Sequence, residues 1–403
     1  MNILMTGGTS LLGRNLLFEV FRAHEQGEEI KLSLLGRSSD DQTFKQRVTS
    51  FLVSECPESL QASLPRILDY FNDDGFVEYF EYDLGGTELF DASTRSRIMG
   101  AKFTHILHIA SITDFRSAKE VVEKLKVVNV KGTSQILTLC KELNVKKFIY
   151  VSSAYVCGDT PGEISPDYVN LDAKFRNSYE QTKLQAEVDV RQFCKENAIN
   201  YIIHRPSIVC GRLIEPVFGL TYKFDIFYSC AAFLLNAKKL IHGNLPLDDL
   251  LRTRMEIPMR VRYSNDSGLN IVPADYVAKA MMFTILDDSY NKSVHLVNDE
   301  ETPHSLYIPL VEQAVNAAGV MHVDEDPKDK NIIEKMYYRS VGKIFTPYIT
   351  SESMFFDKSN MEGVPLECPK IDAEKFNILM DYARTRNFGL SKVPGEADIM
   401  SQW

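Results

Sequence analysis

The 403-residue sequence lacks the features from which a disulfide framework or a metal site would be built. Its seven cysteines are scattered along the chain, and no C-x-x-C pair occurs. No group of cysteines and histidines has the spacing that zinc ligands use. The odd number and wide separation favour reduced thiols in a cytosolic protein, so we expect neither disulfide bonds nor a bound metal.

Positive charge and long apolar runs are also scarce. A formal net charge of −10 at pH 7 argues against a general nucleic-acid binder, which needs a basic surface. The most apolar later stretch, "YSCAAFLLNA" (228–237), is too short to span a bilayer. The opening "MNILMTGG" leaves no room for the charged region of a signal peptide. We therefore expect a soluble, cytoplasmic protein whose oligomeric state stays open.

The first half of the chain alternates short apolar runs with amphipathic helical stretches. Six runs have the character of strands, from "NILMTGG" near the N-terminus to "YIIHRPSIVCG" around residue 205. Such alternation indicates βαβ units, and it predicts an α/β fold with a Rossmann-type, doubly wound parallel sheet. Residues 1–211 would form the dinucleotide-binding domain, to which 268–285 return. Residues 212–267 and 286–403 would form a smaller, interleaved substrate-binding lobe.

A glycine-rich turn follows the first predicted strand and opens the first helix. Glycines here allow a tight turn and close approach of the backbone to a pyrophosphate, which then lies on the helix N-terminus. The pattern T-G-x-x-G-x-x-G is broken in the middle, where Ser10 replaces glycine. A purely structural turn is the alternative, which the strand–turn–helix context disfavours. The cofactor-binding residues predicted in this turn are Thr6, Gly7, Thr9, Ser10, Leu11, Leu12 and Gly13.

The end of the second predicted strand bears on which dinucleotide binds. An NAD site has an acidic residue there that accepts hydrogen bonds from the ribose, whereas this strand ends in Arg37 and Ser38. A guanidinium suits the 2′-phosphate of NADPH, and Arg14 lies just past the glycine turn. We favour NADPH. The alternative is that Arg37 is solvated and that Asp40 and Asp41 contact the ribose.

Ser153, Tyr179 and Lys183 form the predicted catalytic set. Ser153 follows the fifth predicted strand, and Tyr179 and Lys183 stand four apart on a predicted helix. The pKa of tyrosine is ordinarily near 10, and we expect the Lys183 cation to favour the phenolate. The serine hydroxyl would hold a substrate carbonyl oxygen, to which Tyr179 delivers a proton.

Together these motifs resemble the extended short-chain dehydrogenase/reductase family. "NVKGT" (129–133), "HRPSIVCG" (204–211) and "VPADYVAKAM" (272–281) are similar to further segments of that family. The resemblance implies that Tyr179 and Lys183 also contact the cofactor. It also implies contacts with the cofactor for Asp83 and Leu84 at the adenine, Ala110 and Ser111 near the phosphates and ribose, Asn129, and Pro206 and Ser207 near the nicotinamide.

Later segments resemble the thioester-reductase and fatty-acyl-reductase branch of this family. They include "RPSIVCG" followed by "YKFDIFY", and "TPYITSESMFFDKSN" (346–360). This resemblance implies an apolar channel that holds an acyl chain, and arginines that receive the phosphates of coenzyme A or of a carrier-protein arm. The alternatives are ordinary core for the aromatic residues and a solvated face for the arginines. The candidates are Phe218, Tyr222, Phe224, Phe227, Tyr228, Phe233 and Leu234, with Arg252, Arg254, Arg260 and Arg262.

The resemblance implies NADPH-dependent reduction of an acyl thioester to an aldehyde, or further to an alcohol. The acyl group would arrive on coenzyme A or on a carrier protein. A ketone or alcohol oxidoreductase of the same family, or a nucleotide-sugar epimerase or dehydratase, is the alternative. A non-catalytic dinucleotide sensor is disfavoured, because Ser153, Tyr179 and Lys183 are all present.

Overall fold

The protein is described by a computed structural model that covers residues 1–243 and 245–390. Its helices and strands alternate along the first 210 residues, as the sequence pattern predicts. The strands are, in chain order, β1 (Asn2–Thr6), β2 (Lys31–Gly36), β3 (Val77–Glu81), β4 (His105–His108), β5 (Lys147–Val151), β6 (Gly162–Ile164), β7 (Asn200–Pro206), β8 (Ile208–Cys210), β9 (Met255–Arg262), β10 (Gly268–Leu269), β11 (Ile271–Pro273), β12 (Ser293–Leu296), β13 (Thr302–Pro303), β14 (Ala317–Val323) and β15 (Met354–Phe356).

The helices cover the faces of the sheet and contribute to a second apolar core. They are α1 (Leu11–Glu25), α2 (Phe44–Ser54), α3 (Leu64–Asn72), α4 (Ala92–Gly100), α5 (Lys119–Leu125), α6 (Gly132–Glu142), α7 (Ser178–Glu196), α8 (Phe227–His242), α9 (Leu247–Arg252), α10 (Ala274–Leu286), α11 (His304–Ala314), α12 (Ile332–Arg339), α13 (Val341–Ile349) and α14 (Ala373–Thr385). A π-helical turn, Lys126–Lys131, joins α5 to α6, and a 3₁₀ turn, Ala154–Cys157, follows β5.

Seven strands form one parallel sheet in the order β12-β7-β5-β4-β1-β2-β3. Strands β1 and β5 are buried along nearly their whole length, as expected for a parallel sheet with helices on both faces. Helices α1, α2, α3 and α10 pack on one face, and α4, α6 and α7 pack on the other. The strand order reverses between β1 and β4, and ligands of such sheets bind at this reversal. The predicted Rossmann-type fold class is confirmed.

A second apolar core is built from α8, β9, α11, α13 and α14, and we call the part of the chain around it the second lobe. In it β9 pairs with β14 in parallel, and β9 alternates buried and outward-facing residues along its length, the pattern of a strand with one face on a core.

Strand β12 departs from the predicted division of the chain. The sequence analysis assigned residues 286–403 to the substrate-binding lobe, whereas β12, Ser293–Leu296, pairs with β7 at the edge of the central sheet. Beyond that strand, the division into two lobes stays a prediction. No helix among the described residues has both the length and the apolar character that crossing a membrane requires.

Candidate active site at the carboxyl edge of the sheet

The turn after β1 is too tight for any side chain at two of its glycines. A Cβ at Gly7, whose φ is +76°, would lie 2.6 Å from the backbone nitrogen of Ala110, and one at Gly13 would lie 2.1 Å from the carbonyl oxygen of Gly7. Ser10, which breaks the glycine pattern, is the N-cap of α1, and its hydroxyl accepts a hydrogen bond from the Gly13 N–H at 3.1 Å. The turn therefore brings bare backbone to a helix N-terminus, which fits a pyrophosphate.

Buried polar contacts hold this turn against the neighbouring strand. The Thr6 hydroxyl hydrogen-bonds His108 Nδ1 at 2.7 Å and accepts from the Ala110 N–H at 3.2 Å. On the other side of the turn, the carbonyl of Thr9 accepts from Arg14 Nε at 2.9 Å. The ends of β1 and β4 are thus fixed together at the reversal of strand order.

Three arginines gather near the end of β2. Arg37 is exposed there, and its carbonyl accepts a hydrogen bond from Arg47 of α2 at 2.5 Å. The pKa of Arg47 is lowered by its partial burial and by the nearby charges of Arg14 and Arg37. Such a concentration of guanidinium groups fits a phosphate ligand. Arg47 was not identified from the sequence, because it lies eleven residues past the end of β2.

Two of the residues predicted near this phosphate are already engaged. Arg14 forms an ion pair with Glu55 and stacks on the Tyr222 ring at 3.8 Å from its centroid. The Ser38 hydroxyl donates to Glu81 and accepts from the Phe44 N–H at 3.0 Å. The charge of Arg14 is therefore partly neutralised by Glu55.

The other residues expected at the cofactor lie at the carboxyl ends of the central strands. Asp83 and Leu84 follow β3, and Ala110 and Ser111 follow β4. Pro206 ends β7, and the hydroxyl of the following residue, Ser207, donates to Asn270 at 2.7 Å.

Asn129 lies in the π-helical turn between α5 and α6. Its side-chain amide accepts from the Ile112 N–H at 2.8 Å and donates to the Ile112 carbonyl at 3.0 Å. In this structure Asn129 fixes the loop after β4, since its amide is paired with backbone.

The predicted catalytic residues converge on one side of the sheet. Ser153 caps the 3₁₀ turn that follows β5, and its hydroxyl accepts from the Tyr155 N–H at 3.2 Å. Tyr179 lies in the first turn of α7, a helix capped by the Asn177 side chain, which accepts from the Glu180 N–H at 3.0 Å. Lys183, one turn further, donates a hydrogen bond to the Val151 carbonyl at the end of β5, at 2.6 Å.

Burial decides the pKa values of this set. Burial raises the pKa of Tyr179 to about 12, and the nearby carboxylate of Asp225 acts in the same direction, while a hydrogen bond with Thr113 opposes it. Burial also lowers the pKa of Lys183 to about 7, against the attraction of Glu187. The role of Lys183 in favouring the phenolate stays a prediction. Near neutral pH Tyr179 is protonated, as a proton donor must be.

A cavity of about 420 Å³ joins these groups. Its polar end contains Ser10, Ser111, Ser153 and Tyr179, and Leu11, Leu12, Pro206 and Ser207 also line it. Its other end is apolar and is lined by residues of helices α8, α11 and α13 of the second lobe. The glycine turn, Ser153, Tyr179 and the second lobe thus line one cavity, whereas Lys183 is not among its lining residues.

The structure separates the predicted substrate-channel residues into two groups. Tyr222 and Phe227 line the cavity, and Phe233 and Leu234 line a smaller pocket beside it. Phe224 and Tyr228 are instead buried in the core of the second lobe, and Phe218 is 43% exposed on the surface. These three residues are not among those that line either space.

The predicted arginine patch is not at this cavity. Arg252 ends α9 and Arg254 precedes β9; both are exposed, and neither is among the residues that line the cavity. Arg260 does lie on β9, but it is paired with Glu334 at 2.7 Å and with Asp329 at 2.9 Å. The predicted contact of these arginines with substrate phosphates therefore has no support in the cavity itself.

Several cavity residues were not identified from the sequence. Phe115 packs edge-on against the Tyr179 ring at 5.5 Å between centroids, and Tyr348 of α13 packs against Phe115 at 6.1 Å. Lys223 and Asp225 form an ion pair of 2.7 Å at the cavity wall. The sequence gives no periodic signal for them, because they come from loops and from a helix distant in the chain.

Asp275 gives a structural role to one of the segments that resemble the reductase family. Its buried carboxylate accepts hydrogen bonds from the N–H groups of Leu213, Ile214 and Glu215, at 3.2, 2.7 and 2.9 Å. The "VPADYVAKAM" segment, which contains Asp275, therefore fixes the loop that follows β8 on its way to the cavity wall.

A family model described as "Male sterility protein", of the NAD-binding class, matches residues 5–281. A component of the linear gramicidin synthase of Brevibacillus parabrevis is 24% identical over 281 residues, which are 65% of this chain and 5% of that protein. Fatty acyl-CoA reductase 2 of Mus musculus is 25% identical over 245 residues, which are 54% of this chain and 45% of that protein. The chain thus spans less than half the length of either relative.

Among solved structures, the chain is similar to the terminal R domain from the myxalamid PKS-NRPS biosynthetic pathway. The TM-score is 0.70 at 20% sequence identity, and the match covers 96% of this chain and 91% of that one. At this identity the similarity concerns the fold. The match extends beyond the central sheet over nearly the whole chain.

Proposed function

Because the chain belongs to the male sterility protein family and has the fold of the extended short-chain dehydrogenases/reductases, we propose that it reduces acyl thioesters. The protein is a nicotinamide-dependent oxidoreductase. The substrate is an acyl group on coenzyme A or on a carrier protein, and the product of the reduction is an aldehyde. The names of the relatives, a fatty acyl-CoA reductase among them, support the acyl class.

The observation that carries the proposal is the single cavity with a polar and an apolar end. Ser153 and Tyr179 lie at the polar end with Ser10 of the glycine turn, and residues of the second lobe line the apolar end. A thioester carbonyl needs hydroxyl groups at its oxygen, and an acyl chain needs apolar walls. Both requirements are met within one space.

The chemistry balances with these residues. A nicotinamide held beside the glycine turn would supply the hydride to the carbonyl carbon. Tyr179 gives its proton to the carbonyl oxygen while the Ser153 hydroxyl donates a hydrogen bond to it, and a hemithioacetal results. Its C–S bond then breaks, and the sulfur leaves with the electron pair and takes a proton. One reduced nicotinamide and one proton are consumed for each aldehyde and thiol formed.

Lys183 holds the site in place and tunes it. Its ammonium is buried between the Val151 carbonyl and the Tyr150 ring, 4.3 Å from the ring centroid. A buried cation one helical turn from Tyr179 stabilises negative charge as the phenol releases its proton.

The cofactor is proposed to be NADPH. The gathering of Arg37 and Arg47, with Arg14 nearby, supports a 2′-phosphate at the end of β2. Asp40 and Asp41, the alternative ribose contacts, are both exposed beyond the strand end, where a carboxylate is badly placed for the ribose of NAD.

The test is NADPH oxidation by the purified protein with medium- and long-chain acyl-coenzyme A, measured together with release of free thiol. We expect one thiol for each aldehyde formed and turnover slower by about a hundredfold or more in Tyr179→Phe. Turnover of a ketone or a sugar nucleotide without thiol release would overturn the thioester assignment and retain the oxidoreductase. If coenzyme A thioesters are not turned over, the assay is repeated with the same acyl groups on a carrier protein. Turnover there would assign the carrier-protein thioester as the substrate.

A further inference from the structure

A second, smaller pocket lies against the apolar end of the main cavity. It has a volume of about 50 Å³. Four residues line both spaces and form the wall between them: Cys230, Tyr307, Phe345 and Ile349. We call the smaller space the distal pocket, and it is lined beyond that wall by Phe233, Leu234, Met259, Val261, Val311 and Tyr337, among others.

Helix α8 runs alongside both spaces. Phe227 lines the main cavity, Cys230 lines both, and Phe233 and Leu234 line the distal pocket. These positions fall on one face of the helix, and at 1.5 Å per residue they span roughly 10 Å along its axis. The two spaces therefore form one line that leads away from Tyr179.

The walls of the distal pocket suit hydrocarbon. Strand β9 presents Met259 and Val261, which alternate with outward-facing residues. The acid at the pocket is Glu312, and its carboxylate accepts a hydrogen bond from the Val320 N–H at 3.0 Å. A space with such walls binds an apolar group better than water.

We infer that the distal pocket receives the methyl end of the acyl chain and sets the chain length that the enzyme prefers. This inference rests on the proposed function, and it assigns the substrate class as thioesters of straight, unbranched acyl chains. The pocket has room for roughly three to five water-sized groups. Chains long enough to pass the wall gain this contact, and shorter chains end in the main cavity.

Two neighbouring positions on β14 offer a matched pair of variants. Val320 lines the distal pocket, whereas Met321 is 53% exposed, since successive side chains of a strand point to opposite faces. Val320→Phe fills the pocket, and Met321→Phe adds the same ring on the outside. Val261→Ile, which adds one carbon to the pocket wall, is the alternative variant if Val320→Phe does not fold.

The experiment has two readouts on the full chain. The first is kcat/KM for butanoyl-, octanoyl-, dodecanoyl- and hexadecanoyl-coenzyme A, and the second is calorimetric binding of dodecanol. We expect Val320→Phe to lower kcat/KM for the long chains about tenfold or more while leaving the butanoyl value within about twofold. Dodecanol binding weakens in parallel, and Met321→Phe behaves as the original protein in both assays.

The two readouts separate the two proposals. If no thioester is turned over but dodecanol binding weakens in Val320→Phe alone, the distal pocket stands and the thioester reaction falls. If folded Val320→Phe and Val261→Ile keep the chain-length profile and the dodecanol affinity of Met321→Phe, the distal pocket is a packing defect and the inference is overturned.

Discussion

Lys183 donates a hydrogen bond from its buried ammonium to the carbonyl of Val151, 2.6 Å away at the last residue of β5. The contact ties α7, which carries Tyr179, to the strand that precedes Ser153. The relative position of the tyrosine and the serine is therefore set by a backbone contact of the lysine.

Tyr179→Phe removes the proposed proton donor while keeping the ring that packs on Phe115. We expect kcat to fall about a hundred- to ten-thousand-fold, the range of positioned proton transfer, with the dissociation constant for NADPH little changed. Steady-state kinetics and fluorescence titration of NADPH measure the two quantities. Tyr348→Phe is the control, because its hydroxyl accepts from Asn177 at 2.7 Å in the same cavity. A comparable loss in Tyr348→Phe would contradict a specific role for Tyr179.

Lys183 should make stability depend on pH in the cofactor-free protein. The pKa of Lys183 is about 7 in the folded chain, well below the ordinary value near 10.4. Between these values the unfolded chain binds more protons, so the free energy of unfolding rises with pH, by at most about 1.4 kcal/mol per pH unit. Below pH 7 the cost of burying the charge is present in full.

The measurement for Lys183 is urea unfolding at a series of pH values from 6 to 10. The rise between pH 7 and 10 is expected to be smaller in Lys183→Met than in the original protein, since methionine carries no proton to lose. Parallel curves for the two proteins would show that Lys183 does not titrate in this range.

Arg47→Ala tests the proposed 2′-phosphate site. Loss of a charged hydrogen-bond donor to phosphate should raise KM for NADPH about tenfold or more and leave KM for NADH unchanged. Arg97→Ala is the matched control, because Arg97 is 59% exposed in its side chain and is paired with Glu78 on β3. Equal effects of Arg47→Ala on both cofactors would mean that Arg47 supports the fold and not the phosphate.

Lys238→Met should destabilise the second lobe. The buried Lys238 ammonium donates to the carbonyls of Leu250, Thr253 and Val315, the last two at 2.6 and 2.7 Å. Methionine leaves these acceptors unpaired, so we expect the free energy of unfolding to fall by about 3 kcal/mol. Chemical denaturation checks this, with Lys239→Met, its less buried neighbour on α8, as the control. An unchanged midpoint would mean that water satisfies the carbonyls.

Much of the fold was predictable because the six strands of the first half have strong local patterns. The seventh strand, β12, is only four residues long, and it follows a long excursion through the second lobe. Its place beside β7 depends on tertiary pairing, which a single sequence does not reveal. The same holds for Phe115 and Tyr348, which meet Tyr179 only in the folded chain.

A change in backbone direction just before α8 divides the residues that were predicted to line the substrate channel. The aromatic residues from 218 to 234 were treated as one stripe, but α8 begins only at Phe227, after Ile226 adopts a φ of +54°. A residue with a positive φ changes the direction of the backbone at that point. Positions before it do not continue the helical face: Phe218 is on the surface and Phe224 is in the core, although Tyr222 still lines the cavity. Tyr228 lies within α8, but it is turned roughly 100° around the helix from Phe227 and is buried in the core. Within the helix, Phe227 lines the main cavity, and Phe233 and Leu234 line the distal pocket.

Strand β12 lies far along the chain from the other strands of the central sheet, and this affects where the protein can be shortened. The family match ends at residue 281, so a shortened chain cut at that limit would stop before Ser293–Leu296 is reached. The backbone of β7 would then have one side unpaired along Ile203–Pro206, and exposed strand edges of this kind promote association between chains. On the ribosome, likewise, the sheet stays incomplete until residue 296 has emerged. Expression trials should therefore keep everything through α14, even where only nucleotide binding is to be studied.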